Sequence, residues 1–164
     1  MVYTRKKEGR DPDGLLHDSL ELVIRGLGIS LVELNVFTQK GRGGSAGSVQ
    51  IRVIVYRQGN TGVDDCSKVH RALLPRLELA FPGKEIYLEI SSPGIDRIIK
   101  DGAEFVHFIG RGVQCYRTDI SAWTAGILSA VDEEKIALRN DEGEVILPYE
   151  LIAKARLSGD MNKK

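Results

Sequence analysis

The chain has 164 residues, of which 42% are hydrophobic and 28% are charged, and 23 Lys and Arg residues balance 23 Asp and Glu residues. This length suits one large or two small domains, and a formal charge of zero disfavours nucleic-acid binding by electrostatic attraction alone. The sequence shows no apolar run long enough to cross a bilayer, no C-x-x-C pair and no apolar signal-peptide core at its start. We therefore expect a reduced, cytoplasmic protein that is not bound to a membrane.

The balanced total conceals an uneven distribution of charge. Residues 1–100 contain 15 Lys or Arg and 12 Asp or Glu residues, whereas residues 101–164 contain 8 and 11. The acids of the second part are concentrated in two runs, Asp132-Glu133-Glu134 and Asp141-Glu142. Such runs are usually solvated turns, and the alternative is that they contact a basic partner.

The first part of the chain begins with a helix followed by two strands. Asp13 can cap a helix in which apolar residues recur every three or four positions, and glycines at 26 and 28 indicate where it ends. Residues 29–37 and 49–55 have the β-branched or alternating pattern of strands. A glycine-rich stretch over 40–47 predicts a flexible loop between them.

A second helix and a third strand complete this part. The helix starts near Val63, and Pro75 predicts that it kinks or ends near Leu74. Residues 86–90 alternate again between apolar and polar side chains. The order α-β-β-α-β predicts an antiparallel or mixed three-stranded sheet with two helices on one face.

Beyond Gly110 the pattern changes to short strands separated by turns. Asp101 can cap a short helix over 104–108, and the strands are predicted over 112–117, 123–131, 135–139, 145–148 and 152–157. Five short strands in about fifty residues predict a small, bent β-barrel of the Sm or SH3 type. Gly126 lies where such a barrel would bend. The predicted fold class is therefore α+β, with an N-terminal α-β-β-α-β domain and a C-terminal small β-barrel.

The predicted domain boundaries follow these changes of pattern. They are a flexible tail over 1–12, an α/β domain over 13–92, an interdomain elbow over 93–100, a barrel domain over 101–157 and a C-terminal tail over 158–164.

No enzyme motif is found in the sequence. The glycine loop lacks the lysine of a P-loop and the third glycine of a dinucleotide-binding motif, and a strand follows it where both motifs need a helix. His17, His70 and His107 have no metal-ligand spacing. A hydrolase built on Ser91 or Ser92 would be a third class of function, but no G-x-S-x-G motif surrounds these serines. We predict no catalytic residue, no cofactor and no metal site.

The most unusual segment runs from Leu88 to Arg97 and reads L-E-I-S-S-P-G-I-D-R. Pro93 and Gly94 suit the central positions of a type II turn, and Ser92 or Asp96 can accept hydrogen bonds from nearby backbone N–H groups. The segment is either a rigid elbow alone or an elbow that also presents polar groups at a cleft between the domains. The candidate residues are Ser91, Ser92, Pro93, Gly94, Asp96 and Arg97.

At this segment the chain resembles the RimP family of bacterial ribosome maturation factors. Other family-like segments follow in the family's order over roughly residues 14–157: Val63-Asp64-Asp65-Cys66, Phe105, Phe108-Ile109-Gly110, Gly126-Ile127-Leu128 and 152–157. The resemblance implies a monomeric, non-enzymatic, cytoplasmic factor with an Sm-like barrel. It also implies that the factor binds the small (30S) ribosomal subunit or its precursor and assists its late assembly.

The resemblance further implies which molecules the factor contacts. The family is associated with incorporation of small-subunit ribosomal protein twelve, and 16S rRNA is a further expected partner. That ribosomal protein is basic, which suits the acidic runs as its contacts. The candidate contacts are Asp132, Glu133, Glu134, Asp141 and Glu142.

Three features depart from the family pattern. Asn35 and Tyr56 stand where members often carry acids, and Ile98 stands where a proline usually follows the last arginine of the segment. The connection over 77–82 is usually acidic but keeps only Glu78 here. The changes at Asn35, at Tyr56 and over 77–82 weigh against a binding role for acids of the N-terminal sheet, whereas Ile98 loosens the elbow without removing it.

The alternative function is that of a general single-stranded RNA-binding module. Aromatic side chains can stack on unpaired bases while basic side chains contact phosphates. The residues that would do so are Trp123, Tyr116, Arg42, Arg111 and Arg117. The neutral net charge argues against this alternative, and the salt dependence of RNA binding would distinguish it.

Overall fold

A computed structural model of the chain describes residues 1, 3, 15–58, 61–94 and 97–158. The chain divides into two compact units: an N-terminal unit, Glu8–Pro93, and a C-terminal unit, Gly94–Lys164 together with Met1–Lys7. None of the helices within the described ranges is both long and apolar enough to span a membrane.

The N-terminal unit contains a three-stranded sheet and two helices. Its elements in chain order are α1 (Leu15–Gly26), β1 (Ser30–Gln39), β2 (Ser48–Tyr56), α2 (Val63–Ala80) and β3 (Glu85–Ser91). The strand order is β1-β2-β3, in which β1 pairs antiparallel and β3 pairs parallel to β2. The predicted α-β-β-α-β order is confirmed, and the sheet is mixed. The predicted helix cap, Asp13, lies outside the described residues.

Both helices pack against one face of this sheet. Alternate residues of β2 point into the core, so Val49, Ile51, Val53 and Val55 are all fully buried. The helices contribute residues spaced three or four apart, as expected for one helix face. These residues are Leu20 and Ile24 of α1, and Val69, Leu73 and Leu77 of α2. On the opposite face of β2, Gln50 and Arg52 are exposed.

Of the two predicted alternatives at Pro75, a kink or an end near Leu74, the end is wrong. Helix α2 continues through Pro75 to Ala80. Leu73 and Leu77, which flank the proline, are fully buried, and their packing stabilises the helix on both sides of it. Pro75 itself is exposed. Tertiary packing here outweighs the hydrogen bond that a proline removes from a helix.

The C-terminal unit contains a six-stranded sheet and two short 3₁₀ helices. Its elements are β4 (Ile98–Ile99), the first 3₁₀ helix (Gly102–Phe108), β5 (Gly112–Arg117), β6 (Ala122–Val131), β7 (Lys135–Asn140), β8 (Gly143–Pro148), the second 3₁₀ helix (Tyr149–Leu151) and β9 (Ile152–Leu157). The strand order is β4-β9-β5-β6-β7-β8, and every pairing is antiparallel. All five predicted strands are confirmed, whereas β4 and the second 3₁₀ helix are additional.

The predicted closure into a barrel is not seen in the strand pairing. Among the described residues, β4 and β8 are the two edges and no ladder joins them. The sheet nevertheless has the features of a bent sheet. The register shifts between Tyr116 and Arg117 and again between Leu128 and Ala130, and such bulges increase local twist.

Gly126 lies in the middle of β6, where the neighbouring strand β7 approaches closely. A Cβ atom added there would lie 2.9 Å from the Leu138 Cβ atom and 2.9 Å from the Arg139 carbonyl oxygen. Any side chain would therefore push β7 away from β6. This close approach explains a glycine at the position that the sequence predicts for the bend.

The first 3₁₀ helix begins after Asp101, whose side-chain Oδ1 accepts a hydrogen bond of 2.8 Å from the backbone N–H of Ala103. The cap is the predicted one, although the helix is 3₁₀ and not α. Phe105 and Phe108 of this helix are fully buried. The helix therefore covers the core of the C-terminal unit with two aromatic rings.

A buried ion pair joins this helix to the start of the C-terminal unit. The Arg97 guanidinium donates from Nε and Nη2 to Glu104 Oε2 at 3.3 and 3.1 Å. The two side chains are only 8% and 2% exposed. The backbone of Arg97 also accepts a 2.9 Å hydrogen bond from Leu157 of β9. Arg97 thus connects the helix and the last strand.

Replacing Arg97 by methionine would test this ion pair. Arg97→Met leaves the Glu104 carboxylate buried without its cation, so we expect a loss of about 3–5 kcal/mol in the free energy of unfolding. The double variant Arg97→Met/Glu104→Leu removes both charges and should be closer to wild type than the single variant. Urea unfolding can be followed through Trp123, the chain's one tryptophan, which lies in the same unit. A single variant within about 1 kcal/mol of wild type would contradict the assignment.

Candidate functional site

The segment from Leu88 to Arg97, called the elbow segment below, includes the end of β3 and crosses the boundary between the two units. Ser91 is the last residue of β3 and pairs with Ile54 of β2. The boundary falls between Pro93 and Gly94. The backbone N–H of Arg97 donates to the Gly94 carbonyl at 3.1 Å.

Four polar residues of the elbow are candidates for a surface role: Ser91, Ser92, Asp96 and Arg97. Asp96 lies outside the described residues. The side chain of Arg97 is buried against Glu104 and does not face solvent. The structure therefore gives Arg97 a role in holding the C-terminal unit together, and Ser92 is an exposed polar residue of the segment.

The first acidic run forms the turn between β6 and β7, and Asp132 holds this turn. Its Oδ1 atom accepts hydrogen bonds from the backbone N–H groups of Glu134 and Lys135 at 2.7 and 2.8 Å. Its backbone carbonyl accepts a 2.6 Å hydrogen bond from the Tyr149 hydroxyl. The bonds from the Glu134 and Lys135 amides lower the pKa of the Asp132 carboxyl. Asp132 is therefore a turn-forming residue.

The other two acids of this run line a groove in the C-terminal unit. The groove has a volume of about 610 Å³. Its lining residues are Tyr3, Glu133, Glu134, Lys135, Pro148, Tyr149 and Glu150. Three carboxylates and one ammonium group give it a net negative charge. We call it the acidic groove.

The sequence pattern alone did not associate Glu150 with this groove. Glu150 is 16 positions beyond Glu134 in the chain. The second 3₁₀ helix brings it back, because the Tyr149 N–H donates to the Glu134 carbonyl at 3.1 Å. The N-terminus covers the same region: the Met1 ammonium group donates to the carbonyls of Tyr149 and Ile152 at 3.0 and 2.7 Å.

The second acidic run is not brought together with the first. Asp141 and Glu142 form the turn between β7 and β8, where the Glu142 N–H donates to the Asn140 Oδ1 atom at 3.0 Å. The two acidic turns are at opposite ends of β7, Lys135–Asn140. A strand of this length spans roughly 20 Å. The five predicted acidic contacts therefore form two separate groups.

Of the residues proposed for single-stranded RNA binding, the structure brings two together. Tyr116 and Trp123 face each other across β5 and β6, with ring centroids 5.5 Å apart in an edge-to-face arrangement. Arg117 is held by Asp119 at 2.6 and 3.0 Å. Arg42 belongs to the N-terminal unit and Arg111 precedes β5. Arg156, which the sequence pattern missed, lies over the Trp123 ring.

One group in the described part of the chain has potential metal ligands close together. His17, Asp18 and Glu21 lie near the start of α1, and their ligand atoms are within 4.8 Å of one another. Glu21 also accepts a 2.9 Å hydrogen bond from Arg25 one turn further along. These are the i, i+4 pairs of an ordinary solvated helix face, and they do not by themselves make a metal site.

Comparisons with known proteins cover most of the chain. The model of the RimP N-terminal domain matches residues 19–96. The ribosome maturation factor RimP of Borrelia turicatae (strain 91E135) is 30% identical over 132 residues, which are 80% of this chain and 86% of that protein. The ribosome maturation factor RimP of Borrelia hermsii (strain HS1 / DAH) matches with the same identity and coverage. The chain belongs to the RimP family.

The RimP-family match and the structure place a boundary in the same segment. The match to the RimP N-terminal domain ends at residue 96, and the two units separate between Pro93 and Gly94. The match to the RimP N-terminal domain therefore ends within a few residues of the division between the two units.

The role of the Asp132 carboxylate in the turn can be tested by removing it and measuring the Tm over a range of pH values. Because the folded-state pKa of Asp132 is lower than its ordinary value of 3.8, the ionised carboxylate stabilises the folded state above that pH. This contribution is lost as the pH falls through the folded-state value. Asp132→Ala should therefore have a lower Tm than wild type at neutral pH. This difference in Tm should become smaller as the pH falls below 3.8.

The matched control for this pH series is Asp141→Ala in the neighbouring turn. Among the described residues, no side chain or amide donates to the Asp141 carboxylate. This variant should stay close to wild type across the series. A Tm difference for Asp132→Ala that is the same in acid and at neutral pH would contradict the role of the carboxylate.

Proposed function

We propose that this protein binds the small (30S) ribosomal subunit, or a precursor of it, and assists a late step of its assembly. The observation that supports the proposal is the relationship to two proteins named ribosome maturation factor RimP. The match covers 86% of the length of each of them. The protein acts by binding and not by catalysis. Its place of action is the cytoplasm, and it acts as a monomer.

The acidic groove supports a basic protein as one partner. Glu133, Glu134 and Glu150 line it, and Lys135 is the only cation among its lining residues. A surface of one charge attracts a partner of the opposite charge and accelerates their association. We assign the groove to a basic ribosomal protein, namely small-subunit ribosomal protein twelve.

The fold of the C-terminal unit is proposed to be an Sm-like barrel. Six antiparallel strands, two register shifts and the close approach at Gly126 support a strongly bent sheet. In such a barrel the turns project from the ends of the strands, which leaves Glu133 and Glu134 accessible to a partner.

The mechanism proposed is stabilisation of one assembly intermediate. A factor that binds an intermediate better than the mature particle shifts the population toward the productive arrangement. It must then dissociate, which requires moderate affinity. Because the groove contact is between exposed charges, its strength should fall as the salt concentration rises.

A complementation experiment tests the proposal. In a bacterial strain whose own RimP-family gene is deleted, expression of this chain should restore the ratio of free small to large subunits in a sucrose gradient. It should also restore maturation of the 16S rRNA precursor. Gradients that stay the same as those of the empty-vector strain, with the protein expressed and folded, would contradict the proposed function.

Charge reversal tests the acidic groove within that function. Glu133→Lys/Glu134→Lys should slow association with purified small-subunit ribosomal protein twelve by roughly tenfold at low salt. The control Asp141→Lys/Glu142→Lys changes the net charge equally at the other end of β7 and should change the rate by less than about twofold. Equal association rates for the two variants would overturn the assignment of the groove.

A further inference from the structure

One face of the C-terminal sheet combines aromatic and basic side chains. Residues of β5 alternate, so the buried Val113 and Cys115 point into the core while Gln114 and Tyr116 point to the opposite face. The register places Lys154 and Trp123 on either side of Tyr116. We call this surface the aromatic face.

Lys154, Tyr116 and Trp123 form one row of paired residues across neighbouring strands, and the adjacent row also contains a basic residue. Arg156 pairs with Gln114 on one side and with Ile98 of β4 on the other. Ala125 pairs with Gln114 on β6. Across β4, β9, β5 and β6, the residues of these two rows include two cations and no acid. They are Ile98, Lys154, Arg156, Gln114, Tyr116, Trp123 and Ala125.

Trp123 and Arg156 form the centre of the aromatic face. The guanidinium carbon of Arg156 lies 4.9 Å from the centroid of the Trp123 ring, a distance at which the cation is attracted to the π-system. The Arg156 Nε atom donates to Gln114 Oε1 at 2.9 Å, which fixes the guanidinium in place. Trp123 remains 45% exposed and Ile98 66% exposed. The face is therefore pre-ordered and open to solvent.

The charges of this face are available to a ligand. Among the described residues, neither Lys154 nor Arg156 has an acidic partner. The cation of the neighbouring turn, Arg117, differs in this respect because Asp119 neutralises it. Two cations without an acidic partner in the described part of the chain, next to the exposed Trp123 ring, match a ligand with negative charges and flat apolar groups.

We propose that the aromatic face is a binding site for single-stranded RNA. Unpaired bases stack on the Trp123 ring or on the guanidinium plane of Arg156, as bases do on aromatic and arginine side chains in other RNA-binding proteins. Lys154 and the terminal nitrogens of Arg156 contact the adjoining phosphates. The site does not depend on the proposed role in assembly, since it requires only RNA with accessible bases.

The chemistry of the face favours unpaired RNA over an acidic protein or a duplex. An acidic polypeptide would satisfy the two cations but would leave the Trp123 ring without a stacking partner. In a duplex the bases are already stacked on one another, and only the backbone and groove edges can be contacted. Single-stranded RNA offers both the phosphates and the free base planes.

Trp123 is itself a reporter of binding, because it is the chain's one tryptophan. A single-stranded RNA of mixed sequence and about ten nucleotides, titrated into the full-length protein, should quench its fluorescence saturably. The same RNA annealed to its complement should bind clearly more weakly. Binding without quenching, or equal affinity for the duplex, would overturn the proposal.

Two pairs of variants separate the site from general electrostatic attraction, with the RNA labelled and binding followed by fluorescence anisotropy. Lys154→Gln/Arg156→Gln should weaken binding roughly tenfold and reduce the slope of log K against log salt by about 1.4, as expected for two lost phosphate contacts with a single strand. Arg71→Gln/Arg76→Gln removes the same charge from exposed positions of α2 and should change affinity by less than about twofold.

The aromatic contact has its own control. Trp123→Ala should weaken binding roughly tenfold, whereas Tyr87→Ala removes a similarly exposed ring from the N-terminal sheet and should have little effect. Circular dichroism spectra identical to wild type establish that each variant is folded. Equal losses in the paired variants would overturn the proposal. Polyglutamate that quenches Trp123 as tightly as RNA would also overturn it, in favour of an acidic protein partner.

Discussion

The ion pair between Arg97 and Glu104 anchors the start of the C-terminal unit, and the arrangement of that unit depends on it. Two charges buried to this extent are stable only as a pair, so the first 3₁₀ helix must stay where Glu104 meets Arg97. Next to Arg97, the two-residue strand β4 pairs with β9, which in turn carries Arg156. Arg97, at the end of the segment that resembles the RimP family, is thus a structural anchor for the aromatic face, which is proposed to bind RNA.

The neutral total charge results from charges that are separated in space. In the C-terminal unit the acids are concentrated at turns, where Glu133 and Glu134 are exposed, whereas the cations Lys154 and Arg156 lie on a sheet face. Strand β6 joins the two regions, because Trp123 is near its start and the acidic turn follows its end. Under the two proposals, the protein holds a basic protein and an RNA strand at different places, which suits the proposed action on a particle made of both.

The sequence predicts those helices and strands that contain several repeats of the hydrophobic pattern. The alternation in β2 and the helical spacing in α2 gave correct elements, because burial of one face imposes a period of two or 3.6 residues. A helix end near Leu74, one of the two alternatives predicted from Pro75, is wrong because local propensity is weaker than the packing of Leu73 and Leu77. Strand β4 has two residues and therefore no period. Glu150 and Arg156 join their sites only through contacts between residues distant in the chain, which a single sequence does not display.

The most direct test of this account is co-sedimentation of the purified protein with small subunits, small-subunit precursors and large subunits over a series of salt concentrations. The protein should pellet with the small subunit and its precursor but not with the large subunit, and the association should weaken as salt rises. Equal association with the large subunit, or no association with the small subunit or its precursor at any salt concentration, would contradict it.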